Sequence, residues 1–418
     1  MAFFDYREGQ LHVESVSIEK VAEQLETPVY CYSAAALRHN FHMYADQFKP
    51  ENSLICFAVK ANSNQAIIGE LARLGAGADV VSEGELRRAL LAGIPANRIV
   101  YSGVAKTARE MRFALQQGIF QFNVESEPEL ELLSQLATGM GKQAPVAFRI
   151  NPDIDALTHA KISTGKASNK FGIPWTRAKE AYARAAALPG IRVQGIDIHI
   201  GSQLTRLEPF EAAFRCIAEL TDQLRAQGHE ISVLDIGGGL GIDYGDGSRQ
   251  PPALSDYATL ANNILGQLDC RILIEPGRSL VGDVGILISR VTYIKEGEQD
   301  HFLIIDAGMN DLLRPSLYDA YHDIIPVYLR SGDPVHYHVV GPICETGDTF
   351  SRDRLLPPLQ AGDLIAIKNA GAYGAVMASS YNTRPLVPEV LVDGETMTVI
   401  RARPSYDELI GMDTPDGT

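Results

Sequence analysis

Leu54-Ile55-Cys56-Phe57-Ala58-Val59-Lys60-Ala61-Asn62 is an apolar run that ends on a lysine. Its Ile, Val and Phe content reads as a buried strand. Residues 65–74 follow with apolar positions at helical spacing. The same pairing recurs along the chain. Strand-like runs lie at 54–59, 79–82, 98–101, 121–124, 146–150, 195–199, 233–236 and 271–275. Helical patterns fall between most of them, at 65–74, 83–91, 109–117, 127–136, 177–188, 209–227 and 257–265. Alternation alone also suits a doubly wound sheet, but a count of eight points to an α/β (β/α)8 barrel of the TIM type.

After about residue 280 the texture changes. Runs at 284–294, 301–306, 335–340, 364–369 and 387–392 read as strands separated by turn residues. That predicts a C-terminal β-sandwich or small β-barrel. The start of the chain is also extended, at 3–6, 11–13 and 29–32, and is expected to pair with the C-terminal sheet, since termini often lie close together. The expected division is 1–33 as an extended segment packing with the β domain, 34–280 as the barrel and 281–418 as the β domain.

The 418 residues are 45% hydrophobic and 21% charged, enough for a large core. A net charge of -15 argues against nucleic acid or an anionic membrane as partner. No stretch reaches membrane-spanning length, and Met1-Ala2-Phe3-Phe4-Asp5 does not read as a secretory signal. Cys31, Cys56, Cys216, Cys270 and Cys344 are scattered and odd in number, with no CxxC spacing. The expectation is a cytoplasmic protein without disulfides or a metal site.

Barrel enzymes carry their chemistry at the C-terminal ends of the strands. There the first strand presents Lys60 and the sixth His199, followed by Gly201 and Ser202. The seventh presents Gly237-Gly238-Gly239, and the eighth Glu275-Pro276-Gly277-Arg278. Each has an ordinary alternative: a solvated lysine, a hydrogen-bonded histidine, a tight turn, a surface arginine. Their coincidence on one rim matches pyridoxal phosphate chemistry. A partly desolvated lysine amine can form a Schiff base with the cofactor aldehyde. The glycine turn, Ser202 and the Gly277-Arg278 amides suit a phosphate. Glu275 suits the pyridine nitrogen, and His199 the ring face. Asp79 and Glu83 could reach the site but read better as polar residues of the barrel rim.

Four segments together resemble the fold-type III, alanine-racemase-like decarboxylases: Phe57 to Asn62, His199 to Gln203, Asp235 to Gly239 and Glu275 to Arg278. Arg314-Pro315-Ser316-Leu317-Tyr318-Asp319-Ala320-Tyr321-His322, Gly341 to Asp348 and Gly371-Ala372-Tyr373-Gly374 resemble the diaminopimelate decarboxylase branch. The resemblance implies decarboxylation of meso-2,6-diaminopimelate to L-lysine and CO2, the last step of lysine biosynthesis. It implies that Arg278 and Arg314 read the distal carboxylate, a task suited to a planar guanidinium. Glu345 would meet the distal ammonium. Tyr318 and Tyr373 would add hydroxyl contacts to substrate, Tyr373 also to cofactor. Cys344 would donate a proton once CO2 has left, as a thiol can at neutral pH. A homodimer with active sites shared across its interface is implied as well. Arg314 argues for a dicarboxylate independently, because it would repel the cationic end of a diamine. Two rivals stand beside this reading. One is a related decarboxylase of carboxynorspermidine or a basic amino acid. The other is a non-catalytic carrier of the cofactor, against which Cys344 and Glu345 speak. The long segment 153–171, with His159, Lys161, Lys166 and Lys170, reads equally as a lid or as a plain solvated loop.

Overall fold

The computed structural model describes residues 3–49, 51–155, 164, 169–247, 250–298 and 300–413. The chain forms two compact units. One contains 39–242 and 249–280; the other contains 1–38, 243–248 and 281–418.

The first unit is the barrel. Its strands are Ser53–Ala58, Gly77–Val80, Ile99–Tyr101, Gln121–Val124, Ala144–Asn151, Ile191–Asp197, Val233–Asp235 and Arg271–Ile274. Neighbours pair in parallel, and the eighth pairs back onto the first through Leu273 and Leu54, which closes the ring. All eight expected strands and the seven expected helices are present, with ends shifted by a few residues. The helices start where side chains can satisfy orphan amides. Asn64, Ser82, Thr107 and Ser126 each accept from an amide in the first turn.

The period of two along a strand sorts the barrel interior by height. On one face the first strand reads Leu54, Cys56, Ala58 and then Lys60; the seventh reads Val233, Asp235; the eighth Leu273, Glu275. Leu54, Cys56, Val100, Val233 and Leu273 form one buried apolar cluster. The next position toward the C-terminal ends is polar in several strands. A dry floor therefore supports an open, polar mouth.

The second unit is a mixed sheet of nine strands beside a small three-stranded sheet from the N-terminus. Val29–Ser33 lies inside the larger sheet. It pairs antiparallel with Gly285–Glu296 and parallel with Glu389–Asp393. The N-terminal strand is thus part of the C-terminal sheet. Val29, Cys31, Ile286, Ile288, Val390 and Val392 share the core, joined by Ile18, Val21 and Ala22 from helix Ile18–Leu25. Strands Thr349–Leu356 and Thr396–Arg401 were not foreseen. They are the two ends of the main strand path, and the charged positions of the first and the exposed positions of the second are those of edge strands. Helices Ile18–Leu25 and Arg314–Tyr318 also interrupt what reads as extended sequence. No described helix is long and apolar enough to cross a membrane.

Candidate active site

Lys60 lies in the one-turn helix Val59–Ala61 directly after the first strand. The adjacent strand puts Asp79 opposite Ala58. Lys60 Nζ therefore donates to Asp79 Oδ2 at 2.5 Å. Asp79 is fully buried. The reading of Asp79 as a rim residue is corrected by this pair. Glu83 stays outside the site, paired with Arg87 and Arg109. A second buried lysine provides contrast. Lys106 Nζ donates to Gly103 O, Asn123 O and Glu129 Oε1, each at 2.7 Å, so its three protons are all committed.

His199 follows the sixth strand. Its Nδ1 accepts from Gly238 N at 3.3 Å, which leaves the ring proton on Nε2. Desolvation, then Arg149 and Lys60, hold its pKa well below the usual value, so the imidazole is neutral. Arg149 Nη2 reaches His199 O at 3.4 Å, and Thr164 Oγ1 donates to the same carbonyl at 3.0 Å.

The glycine turn adopts backbone that side chains resist. Gly237 has φ +63 and Gly239 φ +107. A Cβ on Gly237 would lie 2.6 Å from Ile198 O, and one on Gly239 would collide with Gly201 O. The turn is consequently bare backbone lodged between two strand ends. Beside it, Arg278 Nη2 donates to Ser202 Oγ at 3.1 Å. Gly277 packs against the first strand's end, where a Cβ would lie 3.1 Å from those of Ala58 and Ala61.

Beneath the rim, Asp197, Asp235 and Glu275 each bring a carboxylate oxygen within 4.8 Å of the others, all three buried. Asn123 Nδ2 bridges Asp235 Oδ2 at 3.2 Å and Glu275 Oε1 at 3.4 Å. Gly237 N donates to Asp235 Oδ1 at 3.1 Å. Gln121 supports Asn123 and Gln194 supports Gln121, at 2.7 and 3.0 Å. Burial pushes Asp235 and Glu275 upward, followed by the charge of Asp197 for Asp235 and that of Asp235 for Glu275, which stands well above the carboxylate range. Asp197 moves the same way for the same first cause, with Glu275 its largest charged neighbour. Sequence reasoning missed Asn123 and Asp197. The available signal was alternation: Gln121 and Asn123 share one face of a strand whose other face is Phe122 and Val124.

The other foreseen residues belong to the β unit. Arg314 opens helix Arg314–Tyr318 and is buried. Its Nε donates to His322 Nε2 at 3.3 Å, and its guanidinium lies 5.1 Å from the centre of the Tyr244 ring. His322 must then carry its proton on Nδ1, where it donates to Lys368 O at 2.8 Å. His322 thereby fixes the arginine's direction, a role that sequence reading did not assign. Tyr318 and Tyr373 are half-buried, and Tyr373 has φ +56. Cys344 and Glu345 are exposed on one loop, with Cys344 N donating to Asn382 Oδ1 at 3.0 Å. Of the segment 153–171, His159, Lys161 and Lys166 lie outside the described residues.

The pyridoxal-dependent decarboxylase family, through its pyridoxal binding domain, matches residues 34–282. The chain is 50% identical over 410 residues to the diaminopimelate decarboxylase of Zymomonas mobilis, covering 97% of each. It is 49% identical over 409 residues to that of Pseudomonas aeruginosa, covering 98% of each. Among solved structures, diaminopimelate decarboxylase from Helicobacter pylori complexed with L-lysine superposes with a TM-score of 0.90 at 43% identity, covering 94% of this chain and 98% of that one. The enzyme from M. jannaschii in co-complex with L-lysine gives a TM-score of 0.94 at 38% identity, covering 98% and 97%.

Proposed function

Because the chain belongs to the pyridoxal-dependent decarboxylases, in the branch of the diaminopimelate decarboxylases, we propose that it converts meso-2,6-diaminopimelate to L-lysine and CO2 with pyridoxal 5'-phosphate. The carrying observation is Lys60, placed at the barrel mouth with its amine 2.5 Å from a buried carboxylate. The residues present fit the cofactor. The bare backbone of Gly237, Gly238 and Gly239, with Ser202, Gly277 and Arg278, suits a phosphate. The raised acids around Glu275 suit a protonated ring nitrogen, whose positive charge relieves their repulsion. When bound to an amine, the cofactor supplies the electron sink that lets a carboxylate leave the α-carbon.

The chain's own residues do the rest. Lys60 would hold the cofactor through its amine. Asp79 accepts from Nζ and fixes its direction. Neutral His199 offers an uncharged face to the ring. Arg314, aimed by His322, and Arg278 read the distal carboxylate; Glu345 reads the distal ammonium; Tyr318 and Tyr373 add hydroxyl contacts. Cys344 Sγ delivers a proton to the α-carbon after CO2 departs. The reading includes a homodimer in which Cys344 and Glu345 of one copy complete the barrel site of the other. Its free cysteines suit a reducing cytoplasm.

Purified protein supplied with pyridoxal phosphate and meso-diaminopimelate should release CO2 and L-lysine in equal amounts. Turnover of lysine or carboxynorspermidine in preference to diaminopimelate would replace this reading with the related decarboxylases. No turnover of any of them, with cofactor bound, would favour a carrier.

A further inference from the structure

The loop bearing Cys344 and Glu345 is braced from three directions within the β unit. From inside, the buried Asp348 carboxylate accepts from Met309 N and Ile343 N, both at 2.6 Å, and Asp348 N donates to Glu345 O at 3.0 Å. From helix Arg314–Tyr318, Ser316 Oγ donates to Gly347 O at 2.6 Å. From the turn Tyr381–Thr383, Asn382 Oδ1 accepts from Cys344 N at 3.0 Å, and the Tyr381 hydroxyl bonds the Glu345 carboxylate. That turn is conformationally costly. Asn382 has φ +54 and Thr383 φ +56. Asparagine tolerates the left-handed region, but a β-branched threonine there is an outlier. Such residues persist where their surroundings hold them, and they gather at functional sites.

Resting on the proposed role of Cys344 as proton donor, we propose that Asn382 and Tyr381 are positioning residues for the Cys344–Glu345 pair. The Asn382 carbonyl fixes the Cys344 backbone and thus the direction of the thiol. The Tyr381 hydroxyl fixes the neighbouring carboxylate. Ser316 ties the same loop to the helix that carries Arg314 and Tyr318. The aim of the thiol and the placement of the helix bearing Arg314 and Tyr318 are therefore set by one braced assembly.

Two substitutions at one position separate positioning from simple folding. Asn382→Gly keeps the left-handed backbone and removes the acceptor; Asn382→Asp keeps both. In the holoenzyme, Asn382→Gly should lower kcat about tenfold or more while KM for diaminopimelate stays within about threefold, the pattern of a lost transition-state interaction. The rate of Cys344 alkylation by iodoacetamide, followed by peptide mass spectrometry, should change in the same variant. Asn382→Asp should recover most of kcat. Ser316→Ala provides a second reading and should worsen both kcat and KM. Wild-type kcat and thiol reactivity in Asn382→Gly, an Asn382→Asp as impaired as the glycine variant, or an unaffected Ser316→Ala would each overturn the proposal. Cys344→Ala is the control: undiminished turnover there would remove the proton-donor role itself, whereas a dead Cys344→Ala beside an unaffected Asn382→Gly would remove the positioning role alone.

Discussion

Lys60 and Asp79 form an ion pair of 2.5 Å in which only one partner meets solvent: the lysine side chain is 39% exposed and the aspartate fully buried. Asp79 Oδ1 has no hydrogen-bond partner among the described residues. The amine is consequently oriented by a charge from which water is excluded, yet it remains reachable from the barrel mouth. A cofactor-holding lysine needs both properties.

Lys60→Ala should abolish turnover, and borohydride treatment of the wild-type holoenzyme should fix the cofactor to the peptide containing Lys60. The same substitution strands the Asp79 charge. That should cost about 1–2 kcal/mol of stability, less than for a fully buried pair because the lysine is partly exposed. Adding Asp79→Asn should return stability without returning turnover. Urea unfolding of the single and double variants tests the relation, and a double variant no more stable than Lys60→Ala would contradict it.

Asp235 predicts a pH effect on folding. Burial first, then Asp197, push its carboxyl from 3.8 up to about 7. Between those values the folded chain holds more protons than the unfolded one. Its contribution is therefore complete below about pH 4 and lost as pH rises through about 7. Asp235→Asn should gain stability relative to wild type between pH 5 and pH 8 in cofactor-free protein. Parallel stability curves for the two proteins would rule the effect out. His199 acts in the opposite sense: buried neutral, it loses stability as pH falls below 6.5.

Arg314→Ala should raise KM for diaminopimelate by at least about thirtyfold. Truncating one partner of a desolvated charge pair costs roughly 2–5 kcal/mol. Arg314→Lys should recover only part of the loss, since a point charge lacks the bidentate fork. Steady-state kinetics decide the matter, and an unchanged KM would remove the argument for a dicarboxylate substrate.

The shared-site dimer predicts complementation. Lys60→Ala and Cys344→Ala, each nearly inactive alone, should regain about a quarter of wild-type sites when mixed equally and refolded, by random pairing in a two-fold dimer. Absence of recovery, with subunit exchange demonstrated, would put Cys344 in the site of its own chain or outside the chemistry.

Much of this was already legible in the amino-acid order. The eight barrel strands announce themselves as short Val- and Ile-rich runs, because a parallel strand buried on both faces must be apolar nearly throughout. Lys60, His199, the glycine turn and Glu275 were recognisable because each follows a strand directly, where a barrel exposes its chemistry. Thr349–Leu356 went unread because an edge strand carries charge, here Arg352, Asp353 and Arg354, which dilutes the alternation that marks a strand.

Only the tertiary structure decided which side chains became partners. Asp79 looked like a rim residue until parallel register set it opposite Ala58, beside the turn of Lys60. Asn123 reaches Asp235, 112 positions away, only once the ring has closed. His322 aims Arg314, and Asn382 holds Cys344, through contacts that no spacing rule encodes. The physical reason is common to all of them. Periodicity reports which face of a strand or helix is buried, and so determines the elements and their order. A charge or hydrogen-bond partner is chosen by distance in space, and that distance exists only after the sheets have paired.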